Sequence, residues 1–388
     1  MSETVPLETF DAVLSRANTD SLKWEKYKGR DVLPFWVADM DFAMAQPIQD
    51  ALRQRLDHPI VGYTNPSIGL TEAVLNHLLV EYQWAVNPDW LVWLPGVVCG
   101  MAASCRAFAK PGDHIVVNPP IYFHFFDSHE PHHTVDRLPL RCGNDKRWTW
   151  DLAALEERLK LGGVSVIMLC SPHNPTGTVF SEKEIQALMA LAEAYDVVVV
   201  SDEIHCDLVL NPNAKHRPTA VAASELKDRT VTIMSGSKTW NLAGLNCSFA
   251  IIPDEARRNS FKSALQSTVP PVTGLAFTAT ESAYRDGGAW RESMSQYLWQ
   301  NYQHIVQVFD DVAELDVHPL DATYLAWIDA SGLGVDNAAE FFEEHGVGLS
   351  DGAQFGEPGF VRLNFACPRA TLETGLKRML SAVNSRTA

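Results

Sequence analysis

Four short runs rich in apolar and β-branched residues, separated by helical patterns, constrain most strongly what this chain can fold into. They are Val164–Leu169 (VSVIML), Val197–Val200 (VVVV), Thr230–Met234 (TVTIM) and Cys247–Ile252 (CSFAII). Apolar runs of this length read as strands buried on both faces, the signature of a mainly parallel sheet covered by helices. Between the first two runs, Ser181-Glu182-Lys183-Glu184 reads as a helix-capping box, and Ile185, Leu188, Met189 and Ala192 then share one helical face. Ligands of such sheets sit beyond the carboxyl ends of the strands. Asn174, Asp202 and Lys238 all fall just past strand ends, so three polar groups far apart in sequence are expected at one crevice.

The rest of the chain sets the frame. A length of 388 residues suggests two domains. We expect a large α/β domain over 46–288 and a smaller α+β domain built from 1–45 and 289–388. The smaller one is expected to be helical around Trp290–Glu314, with strands at Thr323–Asp329 and Phe360–Phe365. No repeat or low-complexity tract is present. Lys plus Arg number 31 against 48 Asp plus Glu, a net charge of −17, which disfavours nucleic acid and anionic membranes as partners. The best candidate for a membrane span, the sixteen uncharged residues Trp90–Cys105, is broken by Pro95-Gly96 and falls short of the roughly 20 apolar residues such a span needs. The opening MSETVPLETF lacks the basic-then-apolar pattern of a secretory signal. Seven cysteines, with no C-x-x-C pair, read as reduced and mostly buried thiols of a cytoplasmic protein. His129, His132 and His133 in HEPHH are expected in a solvated loop, not at a metal, because Pro131 breaks helical spacing.

Lys238 carries the most chemistry. It follows a buried strand and two serines, where partial desolvation lowers the amine pKa and makes it a nucleophile for an aldehyde. Ser235 and Ser237 beside it can donate to a phosphate, although strand-end serines are also ordinary turn residues. Pro95–Ala103 runs from a strand into a small-residue helix whose free N–H groups suit an anion. Asp202 taken alone is a common turn cap; beside a pyridine ring it would keep the ring nitrogen protonated. Asn174, in SPHNPTG, is a turn residue or a donor to a ring hydroxyl. Tyr122 is a core aromatic or a stacking surface.

Taken in order, Gly96–Met101, Tyr122, SPHNPTG, Asp202-Glu203-Ile204-His205 and SGSK with Lys238 resemble fold type I pyridoxal-phosphate enzymes of the aspartate-aminotransferase-like fold. FWVADMDF (35–42), Gly62-Tyr63-Thr64, SDEIH, SKTWNLAGL and TYLAW are similar to the MalY/PatB-type cystathionine β-lyases, also called cysteine-S-conjugate β-lyases. His205 stands where many aminotransferases have a tyrosine, and Asn246 where they have an arginine for the phosphate. The resemblance implies pyridoxal 5'-phosphate joined to Lys238 as a Schiff base. Val97, Val98, Ser235 and Ser237 would then hold the phosphate, Tyr122 would stack on the ring, and Asp202 would meet the ring nitrogen. Asn174 and His205 would lie near the ring oxygen. Arg362, in VRLNFA, would bind the carboxylate of a sulfur amino acid, with Ala38, Tyr122, Asn174 and Tyr63 also at the substrate. Tyr63 would reach the phosphate of a second subunit, implying a homodimer. Trp36, Trp240 and Trp327 are expected around the leaving group. The implied reaction is α,β-elimination from L-cystathionine or a related conjugate to a thiol, pyruvate and ammonia. An aminotransferase and a cofactor-holding regulatory protein are the alternatives.

Overall fold

The computed structural model describes residues 4–266 and 268–387. The first three residues and the last, both assigned above to the smaller domain, lie outside the described residues. The central sheet has seven strands: β1 Leu91–Leu94, β2 His114–Val117, β3 Thr134–Arg137, β4 Val164–Cys170, β5 Val198–Asp202, β6 Thr230–Met234 and β7 Ser248–Ile251. Their spatial order is β1-β7-β6-β5-β4-β2-β3. All neighbours are parallel except around β7, which runs antiparallel to both β1 and β6. Every residue of β5, β6 and β7 is buried, as expected of strands covered on both faces.

Two helices show how local sequence fixes the frame. α1 (Val97–Phe108) starts directly after β1 at Gly96, which offers no side-chain cap, so the first N–H groups of the helix are free of one. α2 (Glu182–Ala194) carries the expected capping box between Ser181 and Glu184, and Ile185, Leu188, Met189 and Ala192 are its buried residues. β5 runs two residues beyond the expected Val200, because Ser201 and Asp202 pair with β4 on one side and β6 on the other.

A second, antiparallel sheet holds β8 Asp316–Val317, β9 Leu325–Asp329, β10 Ser350–Asp351 and β11 Phe360–Asn364, in the order β8-β9-β11-β10. The long helix α3 spans Gly288–Phe309 and stops short of the expected Glu314. Asp310 and Asp311 follow its last turn, where negative charge opposes the helix dipole. Phe10, Phe35 and Phe42 from the start of the chain pack in one core with Trp290, Tyr297 and Leu298 of α3. The HEPHH segment is a loop, but not a uniformly solvated one: His133 is buried and its Nδ1 accepts from the Glu130 N–H at 3.3 Å. The expectation of full solvation is corrected there, because the ring folds back on its own turn. Among the described residues no group of three His, Cys, Asp or Glu could hold a metal ion, and no helix is long and apolar enough to cross a membrane.

The N-terminal segment is tied down by charge. Lys23, fully buried, pairs with Asp41 at 2.8 Å, and Arg16 bridges Asp39 and Asp41 at 2.9 Å each. Removing one partner of a buried pair leaves an uncompensated charge. Asp41→Ala is therefore expected to destabilise the protein by on the order of 3 kcal/mol in urea unfolding, whereas the same change at exposed Asp50 should fall within about 0.5 kcal/mol of wild type.

Candidate active site

The register of the parallel strands assembles the site. Cys170 of β4 lies opposite Asp202 of β5, and Asp202 lies opposite Ile233 of β6. The segments leaving these strands carry Asn174, Asp202 and Lys238 to the same rim. There a cavity of about 490 Å³ opens between the two sheets, with Tyr122 and Arg362 also in its wall. That size is typical of a small-molecule or cofactor site.

Lys238 Nζ donates to the carbonyl of Ala38 at 2.6 Å, and the Tyr324 hydroxyl donates to the same oxygen at 3.1 Å. Burial pulls the Lys238 ammonium down to about 8; Asp39 and Asp202 oppose that fall and the Arg362 cation adds to it. Burial pushes the Asp202 carboxyl up to about 7, held back by the Ile204 N–H that donates to Oδ1 at 3.0 Å and by Lys238, and helped by Glu203. His205 is buried and driven down to about 3 by burial and by the Lys238 and Arg362 cations, so its ring is neutral. Its Nδ1 is buried without a partner.

Arg362 reaches the cavity from β11, only 3% exposed. Its guanidinium donates to Asn174 Oδ1 and the Trp36 carbonyl, each at 2.9 Å, and to Ser350 Oγ at 3.2 Å, and it stacks over Phe355 at 4.6 Å. Nε has no partner, and among the described residues no carboxylate pairs with this cation. Burial lowers its pKa to about 10. A buried, unpaired planar fork is costly to maintain unless an external carboxylate completes it.

The same cavity has a stretch of wall whose donors suit an anion. Gly96, Val97 and Val98 line it where α1 begins, and Ser235, Ser237 and Asn246 line it too. Ser235 Oγ lies 2.7 Å from the Cys247 carbonyl and 2.9 Å from Ser237 Oγ. Free helix N–H groups, hydroxyls, an amine with a lowered pKa, a buried carboxyl and an aromatic face fit a phosphorylated pyridine aldehyde. The orphaned His205 Nδ1 adds an unused hydrogen-bonding atom on that wall.

Of the residues singled out from sequence, Ala38, Val97, Val98, Tyr122, Asn174, Asp202, His205, Ser235, Ser237, Lys238 and Arg362 all line this cavity. Tyr63 does not, and its side chain is wholly exposed. Trp36 is in the wall, but Trp240 and Trp327 are not, which corrects the expectation for both. Trp240 donates to the Gly287 carbonyl at 3.1 Å and packs on Tyr284, while Trp327 stacks on Phe360 at 5.0 Å. Each is 1% exposed, because tertiary packing turns it into the core instead of the cavity. Sequence reading missed Tyr324, Ser350 and the support under Asp202. Glu203, fully buried, accepts from Ser201 Oγ and the Thr219 N–H and pairs with His216 Nε2, each at 2.9 Å. The second acid of SDEIH was the available signal.

Residues 30–379 match the family model for aminotransferases of class I and II. Cystathionine β-lyase PatB of Bacillus subtilis is 36% identical over 388 residues, covering 97% of this chain and all of that protein. The crystal structure of OvoB superimposes with a TM-score of 0.93 at 42% identity, covering 97% of this chain and 99% of that one. Cystalysin from Treponema denticola, whose crystal structure contains pyridoxal 5'-phosphate, gives a TM-score of 0.93 at 30% identity and covers 97% and 98%.

The lowered Lys238 pKa has a direct consequence. Only the neutral amine attacks an aldehyde, so capture of pyridoxal phosphate by the cofactor-free protein should accelerate with pH through about 8 and then level off. Stopped-flow absorbance would follow it. A curve still rising toward the ordinary lysine value of 10.5 would show that the amine is not perturbed, and Lys238→Ala should show no capture.

Proposed function

The chain belongs to the class I and II aminotransferase family, and from that premise we propose that it is a pyridoxal-phosphate-dependent carbon–sulfur β-lyase. Its substrates are L-cystathionine or related cysteine S-conjugates, cleaved to a thiol, pyruvate and ammonia. The observation that carries the substrate assignment is the buried Arg362 guanidinium with no acid of its own. It matches an amino-acid carboxylate bidentately.

The cofactor supplies an electron sink for the pair left when the Cα–H bond breaks. The protein's groups do the rest. Arg362, supported by Asn174, Ser350 and the Trp36 carbonyl, fixes the substrate carboxylate. Lys238 takes the Cα proton, and a pKa near 8 lets it act as base and then as acid close to neutrality. Asp202 would keep a proton on the ring nitrogen of a bound cofactor, because a cation placed against its carboxyl favours the ionised form that burial alone disfavours. Tyr122 would cover one ring face, and neutral His205 and Asn174, in the same cavity wall, would meet the ring oxygen. The C–S bond then breaks with its electron pair on sulfur. A thiol of pKa about 8.5 is a far better leaving group than an alcohol.

In this reading residues 46–288 carry the cofactor, while 1–45 with 289–388 close over the substrate. The active unit is a homodimer. Ile60, Val61, Tyr63 and Ile68 form a run of strongly exposed apolar and aromatic side chains, and Tyr63 would serve the phosphate of the second subunit. Seven unpaired cysteines, five of them buried, support a cytoplasmic location.

The carboxylate assignment is tested with paired substrates, a cysteine conjugate and the cysteamine conjugate that lacks only the carboxylate. Wild type should favour the first in kcat/KM by on the order of 100-fold or more, and Arg362→Ala should erase most of that preference. An Arg362→Ala enzyme that kept the preference would place the carboxylate elsewhere.

A further inference from the structure

Part of the cavity wall has no role in the chemistry assigned so far. In the lyase reading Arg362 would pin the carboxylate at the buried end, and Lys238, Asp202, His205 and Tyr122, which line the same cavity, would hold the cofactor ring. A substituent on Cβ must then extend toward the open side, marked by Leu22 at 70% exposure and by exposed Gln354. Phe123, His124 and the Trp36 side chain line the same cavity as these two.

Only three of these side chains carry an N–H. The Trp36 indole is already engaged, donating to the Lys23 carbonyl at 3.1 Å. Gln354 is exposed to solvent. His124 differs from both. Its half-buried ring sits 4.4 Å from Phe123 and meets Tyr122 edge-on at 5.1 Å, which sets its orientation beside the residue that covers the ring. Neither ring nitrogen has a hydrogen-bond partner within the chain among the described residues. Burial lowers its pKa below the ordinary 6.5, with Asp127 opposing, so the ring is neutral and keeps one N–H donor.

We infer that His124 is a catalytic residue for the departing group, its ring N–H hydrogen-bonding the sulfur as the C–S bond breaks. The inference rests on the carbon–sulfur lyase reading and adds a residue to it. The electron pair of the broken bond stays on sulfur, and the proton removed from Cα resides on Lys238. His124 transfers no proton; it stabilises the thiolate by a charge-assisted hydrogen bond. Its contribution must therefore grow with the basicity of that thiolate. Conjugates of poorly leaving alkyl thiols depend on it, and those of acidic aryl thiols barely do.

The test measures kcat/KM of the holoenzyme across cysteine conjugates graded from aryl to alkyl thiols, for wild type, His124→Phe and His124→Gln. The Phe variant should lose about 10- to 100-fold on the alkyl end and little on the aryl end, steepening the plot of rate against leaving-group pKa. The Gln variant, which keeps an N–H, should stay near the wild-type slope. A readout independent of turnover is binding of ethanethiol to the holoenzyme, followed by calorimetry at a pH near the thiol's own pKa where its basic thiolate is populated, which should weaken about 10-fold in His124→Phe. A uniform loss across the series with unchanged thiolate binding would overturn the inference while leaving the lyase reading intact. So would a steepened plot that follows Gln354→Ala instead of His124→Phe. If wild type releases no thiol from any conjugate, the lyase reading itself falls, and the inference with it.

Discussion

Parallel pairing of β4, β5 and β6 places Cys170, Asp202 and Ile233 side by side, and everything at the site depends on that alignment. The chain segments that leave these strands emerge on one rim, because parallel strands all end on the same side. A shift of one residue in β5 would turn Asp202 away from the cavity and bring Ser201 toward it. The register is held by burial on both faces of the sheet and by hydrogen bonds that continue past the strand ends, Ser171 N–H to the Asp202 carbonyl at 2.9 Å and Glu203 N–H to the Ile233 carbonyl at 2.8 Å. The buried Glu203–His216 pair then fixes the turn beneath Asp202.

On that rim the protein gathers groups whose ordinary ionisation is disturbed in complementary directions. Lys238 is pulled down toward neutrality, Asp202 is pushed up toward it, and His205 is kept uncharged, all chiefly by burial. Arg362 is also buried, and it meets neutral partners only. These are separate costs to folding that the proposed ligands would relieve: a cation for Asp202, a carbonyl carbon for Lys238 and a carboxylate for Arg362. The N-terminal segment joins the same arrangement. Asp39 lies in the ion cluster of Arg16 and Lys23, and the neighbouring Ala38 offers its carbonyl to Lys238.

The central sheet was legible because its strands are apolar on both faces and end in turn-forming residues. The capping box at Ser181 was legible because its donors and acceptors lie within four residues of each other. Asn174, Asp202 and Lys238 stood out because each follows a strand. Arg362 did not stand out from its own surroundings; only resemblance singled it out, since an arginine on an antiparallel strand reads as a surface ion pair. Ser350 was invisible for a related reason: it reaches the cavity from the second sheet, and no local motif announces that its strands face the first. Tyr324 stood within TYLAW, but nothing in that run shows that its hydroxyl meets the Ala38 carbonyl, which is remote in the chain. Trp240 and Trp327 were misjudged because proximity to a motif in sequence does not set which way a side chain points. Their direction is decided by Gly287 and Phe360, which are remote in the chain.

Elimination and transamination would draw on the same lysine, the same ring contacts and the same carboxylate fork, so residue placement alone does not separate them. The fate of the substrate carbon does. The most direct measurement is pyruvate release from L-cystathionine by the purified holoenzyme with no 2-oxo acid present. Sustained release over many turnovers, with homocysteine appearing in equal amount, is the result this account predicts. A reaction that stops after one turnover and resumes only when a 2-oxo acid is added would contradict it and make the protein an aminotransferase.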